Sequence, residues 1–172
     1  QTMSIALKTR QALAHELAMT LRSMLPKARK SILVVGLGNR NVTPDSLGPR
    51  TAERILVTRH MAGCLPEDMA QSMASVSAAA PGVLGVTGME TVEILKGMVT
   101  HVQPDAVIAI DALAARSSSR IASTIQIADT GITPGSGVGN HRKALNEQTL
   151  GVPVIAVGVP LVVYASTIAS DA

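Results

Sequence analysis

The sequence predicts an α/β fold, a mostly parallel sheet with helices on both faces, and three observations carry that prediction. Two short runs are continuously apolar, Ile32-Leu33-Val34-Val35 inside residues 31–36 and Ala106-Val107-Ile108-Ala109-Ile110. Unbroken apolar runs of this length fit strands buried on both faces, as in a parallel sheet. Helical patterns lie between the strand-like runs, so the two element types alternate. Each run also leads to an aspartate at its C-terminal side, Asp45 after the first and Asp111 directly after the second. Ligands of open α/β sheets collect beyond the carboxyl ends of the strands, and Asp45, Asp111 and Asp129 all follow strands in that sense.

Each element has its own signal. Residues 4–24 repeat Ile5, Leu7, Leu13, Leu17 and Leu21 near helical spacing, and Pro26 ends the segment. The basic run Lys27-Ala28-Arg29-Lys30 reads as a helix C-terminus favoured by its dipole. After the Asp45 loop, Pro49 fits a first helical turn, and a helix is expected to run to about Met61. Ala52, Ile55 and Leu56 would face the core, and His60 stands near the helix end, where it can face the core or the surface. A strand is expected around Ser75–Ala79. Thr87 and Glu90 have capping-box spacing ahead of a helix carrying Val92, Ile94, Leu95, Met98 and Val99, closed by Pro104. Residues 121–128 alternate in polarity, the pattern of a half-exposed strand open to antiparallel pairing. A polar, glycine-bearing loop covers 129–140. A last strand, Pro153–Gly158, leads through Val159-Pro160 to a helix.

With 172 residues and 47% apolar content, the chain can bury one core, so residues 1–172 are expected to form a single domain. The 16% charged content argues against disorder. There is no Phe or Trp and only Tyr164, which weakens any base-stacking mode of nucleic-acid binding. A net charge of +3 points the same way. No apolar run reaches the roughly 18 residues of a membrane span, and Lys8, Arg10, His15 and Glu16 break up anything resembling a signal peptide. Neither nucleic acid nor membrane is expected as a direct partner. The single cysteine, Cys64, forms no disulfide within the chain, which suits a reducing cytoplasm, and reads as a small buried or half-buried hydrophobe.

Two glycine motifs fail as nucleotide sites. Gly36-Leu37-Gly38 lacks the third glycine of a dinucleotide fingerprint, because Asn41 stands there. The loop from Gly135 to Lys143 has phosphate-loop composition without its spacing. Such glycines beside strand-end acids instead let a peptide backbone approach closely. Asp45 can cap the following helix or act in catalysis. Asp111 can be a buried hydrogen-bonding acid or the second member of an acid–base pair. His60 and His101 read as surface residues, and His141 as a candidate ligand within the glycine loop.

The residues Val35-Gly36-Leu37-Gly38-Asn39, Asn41-Val42-Thr43-Pro44-Asp45 and Leu47-Gly48-Pro49 resemble the bacterial germination (spore) endopeptidase family. So do Thr87-Gly88-Met89-Glu90-Thr91, Ile110-Asp111-Ala112-Leu113-Ala114-Ala115-Arg116 and Asp129-Thr130-Gly131-Ile132 with Pro134-Gly135-Ser136-Gly137. The resemblance implies an atypical aspartic endopeptidase that degrades small acid-soluble spore proteins in the spore core. It also implies a zymogen origin, a homotetramer, and a fold similar to hydrogenase maturation endopeptidases, whose Gly-x-Gly-Asn loop carries a metal-binding acid. The family's two essential aspartates match Asp45 and Asp111. Its members are longer, so the pro-segment and the C-terminal part are expected to lie outside these residues. Tyr164 stands where some relatives have an acid and is a poor catalytic candidate.

The leading expectation is therefore peptide-bond hydrolysis by an aspartate pair without a cofactor or metal. Asn39, Arg116 and the backbone N–H groups of Gly135 and Gly137 would steady the oxyanion. One alternative adds a metal held by Asp45, Asp111 and His141. Another keeps the cleft as a non-catalytic peptide-binding module.

Overall fold

The computed structural model describes residues 2–27, 30–61, 63–64, 66, 69, 73–135 and 142–171. Helix α1 (Thr2–Met24) precedes β1 (Ser31–Gly36), which is followed by a 3-10 turn (Thr43–Asp45) and α2 (Leu47–Ala52). Then come β2 (Ser75–Ala79), the short α3 (Leu84–Thr87), α4 (Thr91–Val102) and β3 (Ala106–Ala115). The chain closes with β4 (Gln126–Ala128), α5 (Glu147–Leu150), β5 (Val154–Val163) and α6 (Ala165–Asp171). The sheet order is β2-β1-β3-β5-β4; β2, β1, β3 and β5 are parallel, and β4 is antiparallel to β5. This is the expected α/β architecture.

Alternation along β1 explains why both faces are covered. Leu33 and Val35 point one way and join Val107, Ala109 and Val154 against Val92 and Leu95 of α4. Ile32 and Val34 point the other way and join Ala106, Ile108 and Ile110, with Ile55 and Leu25 against them. Burying a side chain of this size stabilises the fold by about 1.5–3 kcal/mol. By contrast α1 is mostly exposed from Lys8 onward, and Leu13 and Met19 face solvent.

Several local expectations are corrected. Helix α2 stops at Ala52 instead of running to about Met61. The Arg54 and Ile55 N–H groups close 3-10-type bonds to the Thr51 and Ala52 carbonyls, and the chain then turns out to the sheet edge. There Thr58 N–H donates to the Val76 carbonyl (2.9 Å), while its hydroxyl accepts from Val76 N–H (2.8 Å) and donates to the Ala74 carbonyl (2.6 Å). Ala52 and Ile55 reach the core as expected, but Leu56 is 81% exposed; His60 is exposed, in keeping with its reading as a surface residue. His101 lies on the surface as anticipated. Cys64 is exposed, not buried.

The capping box moves by one turn. Glu90 is the N-cap of α4 and its N–H bonds the Glu93 carboxylate (3.0 Å), whereas Thr87 ends α3 and accepts from Met89 N–H (3.2 Å). Strands β3 and β5 are each 10 residues long, so Asp111 lies inside a strand rather than just after one. Each supports the other's extension, which local sequence does not reveal. The alternating stretch at 121–128 contributes only Gln126–Ala128 to the sheet. A 3-10 turn at Ser118–Arg120 and a positive φ at Ala122 (53°) precede it.

Candidate active site

Asp45 is positioned by the way β1 ends. Leu37 N–H donates to the Ile110 carbonyl (2.8 Å), the last bond from the β1 side to β3. Gly38 then takes φ +110°, a conformation that L side chains rarely adopt, and turns the chain out of the sheet. The loop returns through the 3-10 turn, where Asp45 N–H bonds the Val42 carbonyl (2.9 Å). The Asp45 carboxylate accepts the Asn39 N–H at 2.6 Å. It does not cap α2, whose N-cap is Ser46 with no side-chain capping bond. A Cβ on Gly38 would lie 2.2 Å from the Asp45 carbonyl and 2.8 Å from its Oδ1. A Cβ on Gly36 would lie 2.1 Å from the Gly48 carbonyl. The two glycines thus let Asp45 and α2 approach β1.

Asp111 is positioned by β3 and is 5% exposed. Its Oδ1 accepts the N–H of Ala112 at 2.8 Å. Burial raises its pKa from 3.8 to about 7; the Ala112 N–H works against that rise, and the negative charge of Asp45 adds to it. The interaction is possible because both aspartates line one cleft of about 580 Å³. Gly82 and Val83 line it after β2, and Thr133, Pro134 and Gly135 line it from the loop before α5. A carboxyl that keeps its proton to about pH 7, beside a second carboxylate, can give a proton at one oxygen while its neighbour takes one at another.

The remaining candidates divide. Arg116 is exposed and lines the cleft, as does Gly135 with φ +68°. Asn39 meets the site through its backbone; its side-chain oxygen accepts the Asn41 N–H (2.9 Å) and the residue is not among those lining the cleft. Asp129 is exposed and follows β4, whose direction is opposite to that of the parallel strands, so it lies away from the cleft. Gly137 and His141 lie outside the described residues. Sequence reasoning did not single out Arg142, which is half-buried and lines the cleft, or Thr91, a buried first residue of α4 at its wall. The capping signal that would have marked Thr91 is the one misplaced by a turn. Among the described residues no three His, Cys, Asp or Glu side chains converge.

The fold defines an α/β class that includes a hydrogenase maturation protease. The solved structure of the [NiFe] hydrogenase maturation protease HycI from Thermococcus kodakarensis KOD1 matches with a TM-score of 0.50 and 21% identity, over 78% of this chain and 76% of that one. At that identity the likeness is one of fold.

Sequence comparison goes further. The family model described as germination protease matches residues 1–172, and the chain belongs to that family. The germination protease of Bacillus subtilis (strain 168) is 56% identical over 164 residues, 95% of this chain and 45% of that protein. That of Clostridium perfringens (strain SM101 / Type A) is 54% identical over 161 residues, 92% and 49% of the two chains. That of Halalkalibacterium halodurans is 61% identical over 140 residues, 81% and 38%. The chain therefore spans less than half the length of these curated relatives.

Proposed function

We propose that this chain is an endopeptidase acting at spore germination, that its substrates are small acid-soluble spore proteins, and that Asp45 and Asp111 activate water. The observation that carries this reading is the pair of carboxylates in one cleft, with Asp111 buried and pushed up to about 7 while feeling the charge of Asp45. Membership of the germination protease family supports it. Two carboxylates that share a site cannot both ionise cheaply, so the pair holds one proton between them near neutrality.

Asp111 is the member that keeps the proton, and Asp45 is the base. The Asp45 carboxylate takes a proton from water as the water oxygen attacks the scissile carbonyl carbon. The Asp111 proton passes to the carbonyl oxygen, giving a tetrahedral diol. On collapse the C–N bond breaks, the amine nitrogen takes the proton held by Asp45, and Asp111 recovers its proton from a diol hydroxyl. Arg116 and the Gly135 N–H steady the developing negative oxygen, and Arg142 adds positive charge on the same wall; donors of this kind are commonly worth a few kcal/mol. The Asn39 N–H positions Asp45. Maturation from a zymogen, residence in the spore core and assembly into a homotetramer complete the proposal. The exposed apolar side chains of α1, Leu13 and Met19, suit assembly.

The test is to incubate purified protein with a small acid-soluble spore protein and search for new peptide termini by mass spectrometry. Defined cuts that survive exhaustive chelation are expected. Cuts abolished by chelation and restored by a divalent ion would transfer the chemistry to a metal. Tight binding with no cut would make the cleft a recognition module.

A further inference from the structure

Strand β3 changes character at Asp111. Up to Ile110 it is paired on both sides, with β1 and with β5; from Asp111 to Ala115 only β5 remains. Backbone groups of a strand point alternately to its two neighbours. The Val107 N–H donates to Pro153 on the β5 side, and the Ile110 carbonyl accepts from Leu37 on the β1 side. Alternation therefore turns Ala112 and Ala114 toward the β1 side, where β1 has already left the sheet. The register shift beyond Leu113 does not alter this, because the extra residue, Leu161, belongs to β5.

Asp111 takes the Ala112 N–H. Among the described residues nothing bonds the Ala112 carbonyl or the Ala114 N–H and carbonyl on that side. Ala112, Leu113 and Ala114 line the same cleft as Asp45 and Asp111. A row of outward backbone groups is a ready template for one more strand.

We infer that the polypeptide substrate binds as an extended strand along Ala112–Ala114, in the line that β1 vacates after Leu37, so that backbone pairing carries the scissile carbonyl to Asp45 and Asp111. The inference rests on the peptidase reading and adds to it how the substrate is held. Backbone pairing fixes register and tolerates varied side chains. At Gly38 the protein's own chain turns out of the sheet.

The test leaves the protein unaltered. A peptide of about ten residues spanning a cut mapped in a small acid-soluble spore protein is made with each backbone nitrogen N-methylated in turn, and kcat/KM is measured for each. N-methylation deletes one donor and adds a clash, so a paired position is expected to lose roughly tenfold or more. The expected pattern is two sensitive positions two residues apart on one side of the cut, with the position between them tolerant. Tolerance throughout, or loss without alternation, while the parent peptide is cleaved, overturns strand pairing and leaves the peptidase reading standing. No cleavage of the parent peptide overturns both.

Discussion

Asp105 and Asp111 flank the same buried stretch of β3, and they are opposites. Asp105, just before the strand, is exposed and accepts the N–H groups of Lys30 (2.5 Å) and Ser31 (2.8 Å); those two bonds hold its carboxyl below the usual carboxylate range. Asp111, toward the other end, has one N–H donor, is buried, faces a second carboxylate, and rises to about 7. One residue type on one strand thus ties two strands together at the amino end and stores a proton at the carboxyl end. Donor count and solvent decide which. The parallel sheet sets both, because its amino edge presents free N–H groups while its carboxyl edge opens into the cleft.

The largest expected effect breaks the comparison at Asp111. Asp111→Asn or Asp45→Asn should lower kcat by about 10³-fold or more with the fold intact, since each removes one side of the proton traffic. An Asp111→Asn protein of full activity would remove the pair from the mechanism. The same variant carries a stability signature. Between pH 3.8 and about 7 the unfolded chain has released a proton that folded Asp111 still holds, so stability falls as pH rises across that window and levels off above it. The ceiling on that loss is roughly 4 kcal/mol. Asp111→Asn should flatten the slope and melt higher than the parent at pH 8, by about 1–2 kcal/mol in a denaturant titration.

Next in size is the pH profile of cleavage, where kcat should fall about tenfold per pH unit once Asp111 loses its proton above pH 7. Gly38→Ala forces a Cβ onto the Asp45 carbonyl at a positive φ. It should cost about 1–3 kcal/mol of stability and displace Asp45, cutting kcat by about 10²-fold. The smallest effect is at the other carboxylate. Asp105→Ala should cost no more than about 1 kcal/mol at pH 7, given solvent screening, with cleavage unchanged. Because the folded pKa of Asp105 is depressed, that contribution is present above pH 3.8 and vanishes as pH falls through the folded value, so variant and parent should converge in acid.

What the sequence makes legible follows the same physics. Strand β1 is readable because burial on both faces leaves an unbroken apolar run. Asp45 and Asp111 are readable as candidates because strand ends open onto the cleft of such sheets. The end of α2 is not readable, because the competing attraction is the pair of hydrogen bonds between Thr58 and Val76 of β2, far away in sequence. The extension of β3 past Asp111 is hidden for the same reason, since Ala112–Ala115 owe their strand conformation to β5. Arg142 looks like one more loop cation until the fold sets it at the wall of the cleft.

Thr58 also bears on how the molecule behaves in a crowd. By occupying both the N–H and the carbonyl of Val76, it blunts the outer border of β2 against sheet growth from one molecule to the next. A valine there would keep the bulk and the backbone bond to the Val76 carbonyl, and would uncover the Val76 N–H and the Ala74 carbonyl that the hydroxyl now holds.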